Sequence, residues 1–278
     1  MSISGRGSKM RIDLLLVDQG FFPSREQAQR AVMAGHVYYN GSLIDKAGTA
    51  VLPDGEIQVK GDPCPFVSRG GLKLESALQE FGIEVAGKVA LDAGASTGGF
   101  TQCLLQHGAS QIYAVDVGYG QLAWNLRQDE RVTVLERTNL RYLTSEVLGA
   151  QVDLATLDLS FISLLKVLPA VKALLRSGGE VLALVKPQFE AGREHVGKGG
   201  IIKDPAVQRS VLEQVAAGAC QLGFQARGAT YSAIPGADGN IEYFIWLGSD
   251  PEADCTPLSA VQIEQIVQAA HAQLNTKQ

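Results

Sequence analysis

Cysteine is scarce in this sequence of 278 residues, and its placement excludes two kinds of stabilising site. The four cysteines, Cys64, Cys103, Cys220 and Cys255, lie far apart and form no C-x-x-C pair. That spacing argues against a zinc site and against a disulfide framework. We therefore predict reduced, mostly buried thiols.

Long apolar runs are missing as well. The N-terminal stretch MSISGRGSKMRID has no apolar signal region. Nowhere does an uncharged apolar run approach the roughly 18–20 residues that are needed to span a bilayer. The sequence therefore predicts a cytoplasmic protein.

Strong charge of either sign is absent too. Charged residues make up 19% of the chain, hydrophobic residues 46%, and the formal net charge is −5. This balance is ordinary for a globular protein and argues against one that coats nucleic acid by bulk charge, although a local basic face stays compatible with it. The length suits one large domain plus a small one.

The first part of the chain, residues 9 to about 60, is built from short elements. Ser24 is predicted to cap a helix, with Gln27 as its capping-box partner, and Gly35 ends that helix. Two β-rich runs then flank Asn40-Gly41, which predicts a hairpin. These signals indicate a module of two helices and a short sheet.

From about residue 85 the pattern changes to apolar runs that alternate with helical stretches. The predicted strands are VALDAG (89–94), QIYAVDVG (111–118), VTVLER (132–137), LATLDLSF (154–161) and EVLALVKP (180–187). Such alternation is typical of a mostly parallel α/β sheet. Two further runs, ARGATYSAIP and NIEYFIWLG, predict an added hairpin at the sheet edge, and SAVQIEQIVQAAHAQL predicts a C-terminal helix.

A glycine-rich turn, LDAGASTGGFTQ (91–102), joins the first of these strands to a helix. Its pattern matches neither the P-loop nor a good G-x-G-x-x-G. Asp92 lies inside the motif, and Asp116 ends the next strand, where an acid suits a ribose diol. The run D-x-G-x-S-x-G resembles the S-adenosylmethionine loop of class I methyltransferases. A glycine turn without a nucleotide, or a nicotinamide site, is the alternative.

Lys186 ends an otherwise apolar strand, where an ammonium group is costly to desolvate unless it has a partner. Asp158 ends the preceding strand, and ligands bind at the carboxyl ends of strands in such sheets. With Lys73 and Glu242, two lysines and two acids are expected to surround one pocket. The alternative is a set of separate surface ion pairs.

Those four side chains suit methyl transfer from a sulfonium to a hydroxyl. This reaction is an in-line displacement, and its main demand is positioning. The proton of the hydroxyl must leave, and a lysine whose pKa is lowered by a second cation can help to remove it. A carboxylate beside the lysine raises that pKa but holds the geometry.

The motifs RIDLLLV, SREQAQRAVMAGHVYYNG, SRGGLKLESAL, LDAGASTGGFT, LDLSFISL and LVKPQFEAGREHVGKGGII occur in an order that resembles the TlyA/hemolysin A family. The resemblance implies an α/β class I methyltransferase, Rossmann-like with a seven-stranded, mostly parallel sheet, behind a small N-terminal α+β RNA-binding domain of the S4 type. The expected boundaries are 1–64 for the S4 domain, 65–84 for a linker, 85–249 for an FtsJ-like methyltransferase domain and 250–278 for a tail.

The same resemblance implies methylation of ribosomal RNA at a ribose 2′-hydroxyl, with S-adenosylmethionine as cofactor. The catalytic tetrad would be Lys73, Asp158, Lys186 and Glu242. The cofactor would be held by Asp92, Gly94, Ser96, Gly98 and Asp116, with Asn139 or Leu140 near the adenine.

Contacts to RNA are expected from cations near the N-terminus and around the predicted site. The candidates are Arg11, Arg25, Arg30, Lys46, Arg69, Arg193 and Lys198. Residues 1–46 carry a net charge of only +2, so this prediction depends on placement, and a solvated surface charge is the alternative for each. The stretch GREHVGKGGIIKD is interpreted as a mobile loop over the substrate.

Three rival functions are considered. In a base amino-methylase, two prolines would occupy the positions of Leu159 and Ser160, and Lys186 would have no evident task. A membrane-active hemolysin, as the older family name says, would need a spanning or strongly amphipathic basic segment and would not need a cofactor loop. A non-catalytic RNA-binding protein is disfavoured by the intact tetrad.

Overall fold

A computed structural model of the protein describes residues 9–22, 24–33, 35–60, 64–236, 239–250, 252, 254–255 and 258–274, without the side chains of Arg30, Arg193 and Lys198. The chain divides into two compact units, Met1–Pro63 and Cys64–Gln278. Each unit has its own hydrophobic core.

The smaller unit packs two short helices on short strands. Its elements are β1 (Met10–Arg11), α1 (Ile12–Asp18), α2 (Arg25–Met33), β2 (Val37–Tyr39), β3 (Ser42–Leu43), β4 (Ala50–Val51) and β5 (Ile57–Val59). Strand β2 pairs with β3 and β5, and β1 pairs with β4, all antiparallel. Apolar side chains of α1 and α2 face this core, among them Leu16, Ala28 and Val32.

The turn signals predicted for this unit are confirmed. The Gln27 backbone N–H donates to Ser24 Oγ over 3.3 Å, which is half of a capping box. Asn40 and Gly41 both have positive φ, +48° and +76°, as a two-residue turn between β2 and β3 requires.

The larger unit alternates strands and helices, as the sequence predicts. Its elements are α3 (Gly70–Phe81), β6 (Val89–Ala93), α4 (Gly99–Gln106), β7 (Gln111–Val115), α5 (Trp124–Arg127), β8 (Val132–Leu135), α6 (Ser145–Leu148), β9 (Val152–Leu157), α7 (Leu168–Leu174), β10 (Leu175–Val185), α8 (Pro187–Glu190), α9 (Pro205–Gln221), β11 (Gln225–Tyr231), β12 (Tyr243–Gly248) and α10 (Ala260–Leu274).

One sheet in the described part of the chain contains seven strands in the order β11-β12-β10-β9-β6-β7-β8. The five strands from β10 to β8 are parallel, and β12 runs antiparallel to β10 and β11, which confirms the mostly parallel sheet with an edge hairpin. Alternate residues of β10 enter different cores, Leu182 and Leu184 on one face, Val181 and Ala183 on the other. Burial on both faces explains why these strands are continuously apolar.

Residues 65–84, predicted as a linker, instead belong to the larger unit. It contains α3, whose Leu74 and Ala77 are fully buried in a core of the larger unit. The boundary between the compact units lies at residues 63 and 64, about twenty residues before the predicted start of the methyltransferase domain. From the sequence these residues were interpreted only as a connection between the two parts.

The predicted state of the cysteines is also corrected. Cys220, in α9, and Cys255 form a disulfide with their Cα atoms 5.6 Å apart, while Cys64 and Cys103 are free. The two partners are 35 residues apart in the sequence, so spacing alone did not indicate a pair. Helix α10 returns to pack on α9 and β11, and this return brings the segment before it close to α9.

Candidate active site

The site lies where the strand order of the sheet reverses. Strands β6 and β9 are neighbours, and the chain leaves them towards opposite edges of the sheet, so their carboxyl ends bound a crevice. The Asp158 backbone N–H donates to the Ala93 carbonyl over 2.9 Å. A side chain at Gly94 would collide with the Asp158 carbonyl oxygen, so this close approach of two loops requires glycine.

The glycine-rich turn after β6 is held by Asp116. The Ser96 N–H donates to one Asp116 carboxylate oxygen over 2.8 Å, and the Gly118 N–H donates to the other over 2.6 Å. Gly98, with φ +97°, directly precedes helix α4, and Gly99 and Phe100 in the first turn of that helix line the crevice. The turn and the Asp116 carboxylate thus form one fixed unit.

Asp92, predicted to hold the cofactor, lies in the protein interior behind the turn. Its side chain is fully buried in β6, and one carboxylate oxygen accepts a 2.6 Å hydrogen bond from Thr101 Oγ1 of α4. Burial raises the pKa of Asp92 to about 7, with a smaller contribution from the nearby Asp158. The residue joins β6 to α4 behind the turn, and it is not among the residues that line the cavity.

Lys73 and Glu242 form the first ion pair of the site. Lys73 Nζ lies 2.5 Å from Glu242 Oε2, with side chains only 11% and 4% exposed. Lys73 belongs to the first turns of α3, and Glu242 directly precedes β12. The pair joins two segments that are 169 residues apart in the chain.

Lys186 and Asp158 form the second pair, with Nζ 2.6 Å from Asp158 Oδ1. Lys186 Nζ also donates to Ser160 Oγ over 3.1 Å, a partner that the sequence reading missed. Because β9 and β10 are neighbouring parallel strands, residues at their carboxyl ends meet at one edge. A carboxylate and a hydroxyl thus offset the desolvation of the ammonium group at the end of a core strand.

A cavity of about 330 Å³ opens beside these residues. Its lining residues are Ser68, Arg69, Gly70, Lys73, Gly94, Ala95, Ser96, Thr97, Gly99, Phe100, Asp158 and Pro235. One member of each ion pair, Lys73 and Asp158, therefore faces the same space as the glycine-rich turn. Arg69, one turn before Lys73, lines it as well and donates to the Pro235 carbonyl over 3.5 Å.

Two predicted cofactor residues, Asn139 and Leu140, follow β8. The Asn139 side chain accepts a hydrogen bond from the Arg141 N–H and thereby caps the short helical turn Leu140–Tyr142. Leu140 is buried in the core. Asn139 is thus held near the carboxyl end of the sheet by its own turn.

Comparison with known proteins identifies the larger unit. A family model described as FtsJ-like methyltransferase matches residues 66–249, and an S4 domain model matches residues 10–57. YqxC of Bacillus subtilis (strain 168) is 50% identical over 273 residues, which are 97% of this chain and 96% of that relative. A protein of Mycobacterium tuberculosis (strain CDC 1551 / Oshkosh), named 16S/23S rRNA (cytidine-2'-O)-methyltransferase TlyA, is 47% identical over 263 residues, 94% of this chain and 97% of its own.

A solved structure from Streptococcus thermophilus, named as a hemolysin, is 44% identical, with a TM-score of 0.78 over 97% of this chain and 98% of that one. The chain belongs to the TlyA/hemolysin A family of FtsJ-like methyltransferases. The resemblance noted in the sequence is confirmed. The smaller unit is the S4 domain of this family member.

In this S4 domain, two of the predicted RNA contacts share a buried partner that the sequence reading missed. Asp13 is fully buried and accepts hydrogen bonds of 2.9–3.0 Å from Arg11, of 2.9 Å from Arg25 and of 2.7 Å from Gln29. The Arg11 hydrogen bond, followed by those from Gln29 and Arg25, holds the pKa of Asp13 well below its usual range. Each arginine keeps about half of its side chain exposed.

The other predicted cations of this family member belong to both units. Lys46 of the S4 domain and Arg69 beside the cavity are exposed. The side chains of Arg30, Arg193 and Lys198 lie outside the described ones, so their predicted contacts stay predictions.

A further exposed feature of the site is aromatic. Phe161, in the LDLSF motif after β9, is 88% exposed and has a positive φ of +64°. Its ring centroid lies 4.8 Å from that of Phe189, and Lys186 Nζ lies 6.0 Å from the Phe189 ring. An apolar surface thus adjoins the second ion pair, and the exposure of Phe161 could not be read from the sequence.

Proposed function

We propose that this chain is an S-adenosylmethionine-dependent methyltransferase that modifies ribosomal RNA at a ribose 2′-hydroxyl. One observation carries the proposal: the lysine of one ion pair, Lys73, and the acid of the other, Asp158, line the same cavity as the glycine-rich turn. A cofactor pocket and two fixed lysine–carboxylate pairs in one crevice suit a transfer whose main demand is positioning.

The residues of the turn fit S-adenosylmethionine. A side chain at Gly94 would collide with the Asp158 carbonyl and one at Gly98 with Leu126, so both glycines permit the tight turn, and the Ser96 N–H holds Asp116 beside it. Asp116 would accept hydrogen bonds from the ribose hydroxyls, with Asn139 or Leu140 near the adenine. When bound there, the cofactor supplies an electrophilic methyl group on a sulfonium.

The tetrad residues act on the acceptor hydroxyl. Asp158 and Ser160 orient the Lys186 side chain, and Lys186 Nζ, when uncharged, receives the proton that the 2′-hydroxyl loses when it is methylated. Lys73, held by Glu242, is the second cation of the tetrad and lines the same crevice. Replacing either carboxylate would release its lysine.

Ribosomal RNA is the proposed substrate because several independent features suit it. The S4 domain holds Arg11 and Arg25 on one buried carboxylate, which fixes two guanidinium groups for phosphate contacts. Phe161 offers an exposed ring on which an unstacked base can pack beside Lys186. A relative that matches nearly the whole chain carries the name of a 16S/23S rRNA (cytidine-2'-O)-methyltransferase.

A cytoplasmic location is part of this proposal, since ribosomal RNA is there.

The rival functions are less well supported. A base amino-methylase would use the Asp158 carboxylate to hold an exocyclic amine, but that carboxylate is engaged by Lys186. For the hemolysin reading, no helix in the described part of the chain is long and apolar enough to cross a bilayer. A non-catalytic RNA-binding protein would have no use for two buried or half-buried lysine pairs at a cofactor crevice.

The test uses labelled S-adenosylmethionine with ribosomal subunits, intact ribosomes and naked ribosomal RNA from a strain that lacks the gene. The RNA is digested and the labelled nucleoside identified, for the wild type, for Lys186→Ala and for Lys88→Ala. Lys88 is a matched control because it forms a 2.6 Å ion pair with Glu180 away from the cavity.

We expect a labelled 2′-O-methyl nucleoside with the wild type and Lys88→Ala. We expect a loss of at least about a hundredfold in rate with Lys186→Ala, the size typical of a lost proton-transfer group. Label on a base would overturn the ribose assignment, and the absence of label on any RNA would overturn the choice of substrate. Equal losses in both lysine variants would show that Lys186 has no special role.

A further inference from the structure

A buried glutamine connects the C-terminal helix to the loop that follows the active-site strand. Gln208 of α9 is fully buried, and its Oε1 accepts hydrogen bonds from the Tyr243 hydroxyl over 2.6 Å and from His271 Nε2 over 2.8 Å. Its Nε2 donates to the Ile202 carbonyl over 2.8 Å. Since the amide nitrogen must be the donor to a carbonyl, Oε1 is the acceptor, and His271 carries its proton on Nε2.

The other side of Ile202 is held by a second buried amide. Asn240 Oδ1 accepts from the Ile202 N–H over 3.0 Å, and Asn240 Nδ2 donates to the Gly200 carbonyl over 2.9 Å. Both backbone polar groups of Ile202 are thus bonded by side chains rather than by a neighbouring strand. We call Gln208 and Asn240 the amide clamp.

The amide clamp is built into the segment that carries the first ion pair. Asn240 lies two residues before Glu242, and Tyr243 directly follows it. The Asn240 carbonyl accepts from the Gly236 N–H over 2.9 Å, next to Pro235, which lines the cavity. The Asn240 side chain therefore holds the end of the loop formed by residues 191–203, while Glu242 is held separately by its ion pair with Lys73.

The clamped loop is rich in cations and poor in regular structure. Residues 191–203 contain Arg193, Lys198 and Lys203, and the described backbone there has only short helical turns, Arg193–His195 and Lys198–Gly200. A glycine-rich segment of this kind loses much conformational entropy when it is ordered. An anchor at Gly200 and Ile202 reduces that cost before RNA binds.

We propose that Gln208 and Asn240 are positioning residues for the RNA substrate, and that His271 makes the C-terminal helix α10 a part of this device. The inference rests on the proposed function and goes beyond it, because none of the three residues touches the cavity. Loss of the clamp acts on the binding of RNA through the loop, and it leaves the cofactor turn and both ion pairs in place.

The test measures KM for ribosomal RNA, kcat and cofactor affinity for Asn240→Ala, Asn240→Asp, His271→Ala and His271→Gln. Asn240→Asp keeps the acceptor for Ile202 but loses the donor to Gly200, and His271→Gln restores an amide N–H donor. For Asn240→Ala we expect KM for RNA to rise about tenfold, the effect of one or two lost hydrogen bonds, with kcat and cofactor affinity changed less than about twofold.

His271→Ala should raise KM in the same direction, and His271→Gln should restore it. Hydrogen exchange of the Ile202 amide is a readout that needs no RNA: exchange should speed up in Asn240→Ala and His271→Ala. The proposal would be overturned if the wild type is active and the variants change neither KM for RNA nor the exchange of the Ile202 amide. It would also be overturned if the variants lose cofactor affinity as much as RNA affinity. If the wild type itself methylates no ribosomal RNA, the proposed function fails instead, and the exchange measurement still decides whether the clamp holds the loop.

Should Asn240→Ala fail to fold, Asn240→Asp and the two His271 variants decide the matter. A variant that lowers the unfolding temperature without altering KM or Ile202 exchange would assign a merely structural role to its residue and overturn the proposal.

Discussion

At the residue scale, the site is built from charges that are held in pairs. Lys73 with Glu242 and Lys186 with Asp158 each bring an ammonium group next to a carboxylate in a largely buried place. Removing one partner of such a pair leaves the other charge without compensation, whereas removing both costs much less. The two predictions at this scale use that asymmetry and the pKa of a buried acid.

The first prediction concerns the buried pair of Lys73 and Glu242. Lys73→Met alone and Glu242→Leu alone should each lower the free energy of unfolding by about 3 kcal/mol, because each leaves a buried charge unpaired. The double variant should recover a large part of that loss while remaining inactive. Urea denaturation at neutral pH measures this cycle. Additive losses in the double variant would show that the two charges do not stabilise each other.

The second prediction concerns Asp92, whose pKa is raised to about 7 by burial. The folded state then holds a proton that the unfolded state has already released, so the wild type should lose stability as pH rises from about 4 to about 7. Asp92→Asn cannot titrate and should escape this loss, which is at most about 4 kcal/mol. Unfolding of both proteins at pH 5 and pH 8 measures the difference, and parallel curves would contradict it.

At the element scale, the structure differs from the prediction mainly in segments that join the large elements. Helix α3 carries Lys73 into the site from what had been interpreted as a linker, and α10 packs on α9 and β11 with Ile263, Val267 and Ala270 buried. The disulfide between Cys220 and Cys255 connects α9 to the segment before α10. Such connections depend on which helices become neighbours, and a linear pattern does not specify that.

The third prediction is that this disulfide stabilises the larger unit by about 3 kcal/mol, since it closes a long loop in the unfolded chain. A reductant should lower the unfolding temperature of the wild type but not that of Cys255→Ser. Thiol titration in denaturant should count two thiols before reduction and four afterwards. Four thiols in the unreduced protein would show that the disulfide is absent and that the cysteines are reduced, as the sequence predicts.

At the scale of the whole molecule, the chain consists of two units with separate hydrophobic cores. The S4 domain has its own buried cluster, and residues 64–278 contain the complete sheet, the cavity and both ion pairs. Independent cores allow each unit to fold by itself. The division suits the proposed function, with the Arg11 and Arg25 contacts to RNA in the smaller unit and the proposed chemistry in the larger one.

The fourth prediction follows from this division. The fragment 64–278 should fold and bind S-adenosylmethionine with an affinity within about threefold of that of the whole chain, since a site confined to one core needs no help from the other. Its affinity for ribosomal RNA should fall much further, because the arginines on Asp13 are lost. Calorimetric titration with the cofactor and filter binding with RNA check both parts. A fragment that unfolds, or that loses cofactor binding, would show that the units depend on each other.

The sequence by itself determined the class of fold, the strands, the glycine-rich turn, the hairpin at Asn40-Gly41 and the identity of four charged residues that meet at the site. These are local patterns, because apolar periodicity, turn residues and motif order are written within a few neighbouring positions. Only the tertiary structure decided which lysine pairs with which acid, that Asp92 faces the interior, that Asp13 holds two arginines and that Cys220 reaches Cys255. Each of these contacts joins atoms whose meeting depends on how the elements pack against one another, and the linear pattern does not contain that packing.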